Sequence, residues 1–251
     1  MPTLLSRLGL FFCLISCMPG PVSATPERHF IEGVPYTQQL PNFCGPAALS
    51  SLLAFWGIHS GQKDIAKGIC DGSRSGTNAG DLVIYCRESG LSAYSFNGTI
   101  DELKMYITQG YPVLVLQQWT KSDASGHYRV VVGYDDTDGV IVLRDSNGSA
   151  LVRIPYADFK YLWDKQADWG MIAMPREKDN FRESLDKSNS VVHMDLALAY
   201  IRRKDFKHAK EESLQAITIE PDNPYAKDIL QKSQGKTVSP QSLAPIQNEA
   251  K

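Results

Sequence analysis

The sequence has almost no net charge, few cysteines and no long hydrophobic run. Its 26 basic and 28 acidic residues leave a formal net charge of -2, which argues against a strongly basic nucleic-acid-binding protein, so no nucleic-acid partner is expected. Five cysteines in 251 residues are too few for the dense disulfide framework of a small secreted scaffold. With 43% hydrophobic and 22% charged residues, the composition is that of a folded globular protein.

The amino terminus has the pattern of a secretory signal. Arg7 precedes the apolar run Leu8–Ile15, which is far shorter than the roughly 20 residues that a membrane-spanning helix needs. Small residues at 22–24 favour cleavage after Ala24, which would make residues 1–24 the signal. The alternative is a bacterial lipobox over 14–17, in which residues 1–16 are removed and Cys17 becomes the lipidated first residue. Either site predicts an exported protein of the periplasm or cell envelope, and the second anchors it to a membrane through lipid.

The order of sequence patterns predicts an α+β domain over residues 31–175. Helical patterns dominate as far as residue 109 and include a helix opened by a capping box of Thr99 and Glu102. After residue 111, β-branched runs separated by turn residues predict antiparallel strands. Residues 176–190 are charged and predict a linker, residues 191–231 predict further helices, and the polar tail 232–251 is expected to be disordered.

Cys44 lies at the entrance of a predicted apolar helix. The unpaired N–H groups and the dipole of a helix N-terminus favour a thiolate there and lower the pKa of the thiol. Gly45 and Pro46 suit a first helical turn. Gln39, five residues before the thiol, could present its amide to an oxyanion beside the Cys44 N–H. The simpler alternative is a structural cysteine, because most free cysteines act as small hydrophobic residues.

A histidine and an aspartate on neighbouring predicted strands could supply a base and a group that orients it. His127 begins one β-branched run and Asp145 ends the next. A hairpin turn of three or five residues would place both side chains on one face, within reach across the strands. A turn with an even number of residues would place them on opposite faces. Taken singly, the two residues could also be a solvated strand-edge histidine and the first residue of a turn.

The residues around these positions resemble the bacteriocin-processing, double-glycine-type cysteine peptidases of the papain-like clan. The resemblance covers about residues 31–175 and is carried by the segments QLPNFCGPAALSSLLAFWG, YPVLVLQ and GHYRVVVGYDDTDGVIVLRDSNG. Its best motif is a glutamine before Cys-Gly-Pro, followed later by Gly-His-Tyr. It implies a papain-like fold, in which a helical half carries the cysteine and an antiparallel sheet carries the histidine and the aspartate.

The resemblance also implies a set of site residues. The family's cysteine nucleophile, histidine base and aspartate match Cys44, His127 and Asp145, and its oxyanion-hole glutamine matches Gln39, with Gln38 as the alternative. These groups would hydrolyse a peptide or protein substrate through a thioester, without a cofactor or a metal ion. The same groups also serve amide hydrolysis and acyl transfer on cell-envelope substrates, and a non-catalytic relative would only bind a peptide or act as a scaffold.

The helices after the linker resemble a single tetratricopeptide repeat, as in exported members of the family in which such a segment follows the peptidase. One helix pair cannot bury its faces alone, so we expect it to contact the peptidase domain, a second copy or a partner protein. A generic helical hairpin is the alternative. The small and aromatic positions of the tetratricopeptide motif hold Leu196, Ala197, Tyr200, Phe206, Ala209, Ala216 and Pro221.

A disulfide between Cys70 and Cys86 is possible in an exported chain, and two buried thiols are the alternative.

Overall fold

Helices come first and most of the strands follow in the computed structural model, which describes residues 26–69 and 76–234. Cys17, Ala24, Cys70 and the tail beyond residue 234 lie outside the described residues. Among the described helices, none has both the length and the apolar character that crossing a lipid bilayer requires. The elements are β1 (Arg28–Phe30), α1 (Cys44–Phe55), α2 (Gln62–Ile69), α3 (Ala79–Glu88), β2 (Leu91–Asn97), α4 (Ile100–Thr108), β3 (Val113–Thr120), β4 (Asp123–Asp135), β5 (Val140–Arg144), β6 (Val152–Pro155), α5 (Tyr156–Asp164), β7 (Trp169–Pro175), α6 (Arg182–Leu185), α7 (Ser190–Arg202), α8 (Phe206–Ile219) and α9 (Pro224–Ser233).

The strands form one antiparallel sheet in the order β2-β7-β3-β4-β5-β6, and β1 pairs with the far end of β4. This arrangement confirms the α+β class expected from the sequence. The two strands that the sequence patterns did not predict, β1 and β6, have three and four residues. Their burial alternates over too few residues to stand out, which is why a periodicity argument misses them.

Local sequence signals set several helix ends. Thr99 caps α4 through a capping box, in which its hydroxyl accepts the Glu102 N–H and the Glu102 carboxylate accepts the Thr99 N–H. Helix α1 is buried around most of its circumference and packs on β4 and α2. An apolar helix of this kind belongs to a core rather than to the surface, so its first residue is placed against the sheet.

The segment predicted as a charged linker instead packs on the sheet. Phe181 and Leu185 are buried, and Asp179 accepts a hydrogen bond of 2.6 Å from Tyr94 Oη on β2. The charge pattern concealed this contact because the two apolar residues stand among eight charged ones. Residues 176–190 therefore pack against the domain and cover part of its surface.

Helix α7 packs directly against the helical half and the sheet. The Asp195 carboxylate accepts hydrogen bonds from Ser95 Oγ on β2 (2.6 Å) and Trp169 Nε1 on β7 (2.8 Å). Gly80 on α3 approaches so closely that a Cβ at this position would lie 2.0 Å from the Asp195 carbonyl oxygen. Helix α7 therefore contacts the α+β domain, which is one of the three contacts expected for the helices after residue 190.

Candidate active site

Cys44 is the first residue of α1 and is only half-buried. The first N–H groups of a helix have no partner within it, and the Gly45 N–H is one of the groups that stabilise the Cys44 thiolate. Pro46 has no amide hydrogen and fits the first turn. Gly45 is required by close packing, since a Cβ there would lie 2.5 Å from Thr77 Oγ1. The local sequence thus places a thiol at an accessible helix entrance.

The hairpin of β4 and β5 brings Asp145 next to His127, although its turn has an even number of residues. Asp135 pairs with Val140, which leaves four residues in the turn. On the sequence argument alone, such a turn would separate the two side chains. However, the register shifts between Val131 and Gly133, where β4 has one extra residue. A β-bulge of this kind exchanges the two faces of the strand, so Asp145 returns to the face of His127.

Cys44, His127 and Asp145 form a row of interacting side chains. His127 Nε2 lies 2.8 Å from Asp145 Oδ1, and on the other side the imidazole and the Cys44 thiol are near enough to shift each other's pKa. Because an ionised carboxylate only accepts, Nε2 carries the proton of the bond to Asp145. The other ring nitrogen, Nδ1, is therefore the one available to the sulfur. The structure thus brings together the cysteine, the histidine and the aspartate that the sequence singled out.

The surroundings of Cys44 favour the thiolate. Burial acts against the charged form, but hydrogen bonding to His127, the Tyr128 N–H, the positive charge of His127 and the Gly45 N–H outweigh it, so the pKa of the Cys44 thiol lies below its ordinary value. A lowered pKa and partial exposure are the two properties of a reactive cysteine.

The pKa values of His127 and Asp145 favour an imidazolium beside an ionised carboxylate. Burial would lower the pKa of His127, but hydrogen bonds to Asp145 and Cys44 raise it above its usual value. Burial likewise opposes the carboxylate of Asp145, yet the His127 bond and the Arg129 charge hold the pKa of this carboxyl well below its usual range. Asp145 is therefore ionised throughout the neutral pH range, and the imidazolium is favoured beside a thiolate.

Gln39 is tied to the turn that follows Asp145. Its backbone N–H donates to the Ser146 carbonyl at 3.0 Å, and its side-chain oxygen accepts from Ser146 Oγ at 2.9 Å. Because the oxygen of the Gln39 amide binds Ser146, the NH₂ end of the amide points away from Ser146. Gln38, the alternative residue, is exposed. Between the two glutamines, Gln39 is the one anchored beside the row.

Two residues near His127 were not singled out by sequence reasoning. Trp119 stacks on the imidazole with ring centroids 5.6 Å apart and planes 20° from parallel. The Arg129 guanidinium lies 2.8 Å from Asp145 Oδ2. For the arginine a signal was present, because it is the one charged residue within the β-branched run 128–134. A charged side chain in such a run calls for a buried partner.

Cys86, the other cysteine in the described residues, differs from Cys44 in being fully buried. Cys86 is a free, buried thiol, and burial raises its pKa to about 12. Its possible disulfide partner, Cys70, lies outside the described residues. Over 26–69 and 76–234, no three His, Cys, Asp or Glu side chains are grouped so that they could hold a metal ion.

Comparison with known structures supports the fold. A protein described as a C39-like peptidase from Bacillus anthracis is 20% identical, with a TM-score of 0.51 over 60% of this chain and 99% of that one. Xylellain, a cysteine protease from Xylella fastidiosa, is 16% identical (TM-score 0.48, 61% of this chain and 87% of that one). A double glycine motif protease from an AMS/PCAT transporter, in complex with the leader peptide, is 21% identical (TM-score 0.46, 59% and 98%). The first of these likenesses shows the papain-like peptidase fold for the 60% of the chain that it covers.

Comparison with protein families adds the identity of the domain. No curated protein matches this chain. The model of the Peptidase_C39 like family matches residues 31–170, which is more than half of the 251 residues and includes Gln39, Cys44, His127 and Asp145. The chain therefore belongs to the Peptidase_C39 like family and is a cysteine-type peptidase.

Proposed function

We propose that this protein hydrolyses peptide bonds through a thioester on Cys44, with His127 as the acid and base and Asp145 as the group that orients it. The observation that carries the proposal is the hydrogen bond of 2.8 Å between His127 Nε2 and Asp145 Oδ1, together with the position of Cys44 at the start of α1, where His127 helps to lower the pKa of the thiol. A nucleophile, a base and an orienting group in hydrogen-bond contact are what nucleophilic catalysis requires.

The proposed reaction has two halves. In the first, the Cys44 thiolate attacks the peptide carbonyl and forms a carbon–sulfur bond. The carbon–nitrogen bond then breaks as the His127 imidazolium transfers its proton to the leaving amine. In the second half, neutral His127 takes a proton from the water molecule that attacks the thioester carbonyl. The carbon–sulfur bond then breaks, which releases the carboxylic acid and returns the Cys44 thiolate beside the His127 imidazolium. Asp145 keeps the imidazole in one tautomer and orientation in both halves.

Two donors suit the oxyanion of the tetrahedral intermediates. The Cys44 N–H belongs to the first turn of α1, where amides have no partner within the helix, and the NH₂ group of Gln39 is the end of the amide that does not bind Ser146. Each donor in such a site is worth roughly 3–4 kcal/mol of transition-state stabilisation. We therefore assign to Gln39 the oxyanion-hole role that the resemblance implies, on the support of its two bonds to Ser146, the residue after Asp145.

The experiment is a product analysis with the mature full-length chain. A complex mixture of bacterial peptides is incubated with the purified protein and with its Cys44→Ala variant, and new termini are identified by mass spectrometry. We expect new peptide termini with the wild type only. A wild type that yields deamidated or acyl-transferred products without chain cleavage would replace hydrolysis of peptide bonds by the related amide chemistry. Identical products from both proteins would contradict catalysis by Cys44.

We further propose that the chain is exported. The support is the signal pattern around Arg7 and the two competing processing sites. Expression of the full gene in a bacterium, followed by fractionation and intact-mass measurement, tests this. Cleavage after Ala24 predicts a protein of residues 25–251 in the soluble envelope fraction. Lipidation predicts a membrane-bound protein that Cys17→Ser prevents from being processed at this site. An unprocessed cytoplasmic chain would contradict export.

A further inference from the structure

Arg129 lies on β4 two residues from His127 and is buried. Its guanidinium makes three hydrogen bonds in different directions: Nε to Asp145 Oδ2 (2.8 Å), Nη1 to Gln117 Oε1 (3.1 Å) and Nη2 to the Trp119 carbonyl oxygen (3.0 Å). Gln117 is fixed in turn, because its amide donates to the Phe159 carbonyl oxygen at 3.0 Å. A planar guanidinium with all three nitrogens engaged has little freedom to move.

The first of these bonds holds the carboxylate on the histidine. Asp145 uses Oδ1 for His127 and for the Asn147 N–H, and uses Oδ2 for Arg129. Because both oxygens are bound from different sides, the carboxylate cannot rotate without breaking one of the contacts. The same guanidinium also balances the negative charge of Asp145, a partner that a buried carboxylate needs.

The third bond holds the other neighbour of the imidazole. Nη2 binds the backbone of Trp119 near the end of β3, and the indole of this residue stacks on the His127 ring. One side chain thus connects the carboxylate at the edge of the imidazole with the aromatic plane against its face. The register supports this arrangement, since Gln117 pairs with His127 across β3 and β4.

We propose that Arg129 is a positioning residue of the peptidase site, which holds Asp145 and Trp119 in place so that they fix the ring of His127 from an edge and a face. It does not contact substrate or the Cys44 sulfur in this role. The inference deepens the proposed function and rests on it, because it assigns to Arg129 the orientation of the proposed base.

Two variants separate geometry from charge. Arg129→Met removes both the planar guanidinium and its charge, whereas Arg129→Lys keeps the charge but cannot reach three acceptors in different directions. Because small displacements of a reacting group cost roughly 10²-fold in rate, we expect kcat for a cleaved peptide to fall about 100-fold in both variants, with KM within a few-fold of wild type. Combining Arg129→Met with Asp145→Asn should lower kcat little beyond Asp145→Asn alone, since the arginine acts through the aspartate.

A second measurement does not depend on activity. In the Cys44→Ala background, NMR signals of the His127 ring, assigned by their loss in His127→Ala, should show the ring-current shift caused by Trp119. We expect this shift to shrink in Arg129→Lys and Arg129→Met and to persist in Arg153→Met, a control on β6 that contacts Asp138 instead. This measurement decides the inference even if the wild type cleaves no peptide, and Arg129→Lys decides it if the methionine variant does not fold.

Three results would overturn the inference. Wild-type kcat in a folded Arg129→Lys protein would mean that the charge is sufficient. A double variant whose loss equals the product of the two single losses would mean that Arg129 acts independently of Asp145. Unchanged His127 signals in Arg129→Met would mean that the ring is held by other contacts.

Discussion

The His127→Ala protein should lose peptide cleavage by roughly 10⁴- to 10⁶-fold, because nucleophile and base act as one unit and removal of either removes most of the catalysis. The variant should also lose the reactivity of Cys44 at neutral pH. Burial is the largest influence on this thiol and acts against the thiolate, while His127 supplies the main opposing contacts. Without the imidazole, the pKa of Cys44 is expected to rise, and the thiolate forms only at higher pH.

The rate of alkylation by iodoacetamide, measured against pH, tests this without a substrate. In the wild type we expect a substantial rate below the ordinary pKa of a cysteine, and in His127→Ala we expect the rate to rise only toward alkaline pH. His59→Ala is the matched control, because His59 is exposed and lies after α1, away from the row. A wild-type alkylation profile in His127→Ala would show that the histidine does not ionise the thiol.

Replacing Asp195 by leucine should lower the free energy of unfolding by about 2–4 kcal/mol. The carboxylate is the acceptor for Ser95 and Trp169, which are both buried, and each donor left without a partner costs about 1–3 kcal/mol. Asp195→Asn should cost less, since an amide oxygen can still accept these bonds. Urea unfolding followed by circular dichroism measures both variants.

The difference in stability between the wild type and Asp195→Asn should depend on pH in a defined direction. Burial is the main cause that raises the pKa of Asp195 in the folded protein. A group with a raised folded-state pKa contributes stability that is complete below its unfolded pKa and is lost as the pH rises through the folded value. The wild type should therefore gain stability relative to Asp195→Asn as the pH is lowered toward 4. A difference that does not depend on pH would contradict the raised pKa.

Gly80→Ala tests the same interface from the other side. Alanine has a higher helix propensity than glycine, but at this position, in the first turn of α3, its Cβ would lie 2.0 Å from the carbonyl oxygen of Asp195. We expect a loss of about 1–3 kcal/mol from this overpacking. Asp158→Leu serves as a surface control, since its ion pair with Lys121 is largely exposed and worth at most about 1 kcal/mol. Equal stabilities of Gly80→Ala and the wild type would mean that α7 shifts freely on α3.

The sequence predicted the ends of helices where contacts between neighbouring residues determine them. The capping box of Thr99 and Glu102 begins α4 as expected. Cys44 begins α1, as the Gly-Pro pair and the apolar residues that follow it in the sequence indicated. Both features depend on contacts within one turn of helix. The short strand at 28–30 was missed because its pairing partner is a hundred residues away on β4.

The alignment of His127 with Asp145 shows how a correct expectation can depend on an unforeseen feature. The sequence argument required an odd turn, and the structure has an even one whose effect the bulge beside Gly133 reverses. A lone glycine inside a strand pattern is a known sign of a bulge, so this residue was the signal that could have been used. Parity of the turn alone did not determine the face.

By itself, the sequence determined the α+β class and the helix that starts at Cys44, because periodicity and short motifs specify structure over a few residues. Only the tertiary structure decided that Asp145 binds His127, that Arg129 and Trp119 lie beside this pair, and that α7 packs on the sheet through Asp195. Contacts of that kind join residues far apart in the chain, and their geometry follows from strand register and packing, which no local pattern encodes.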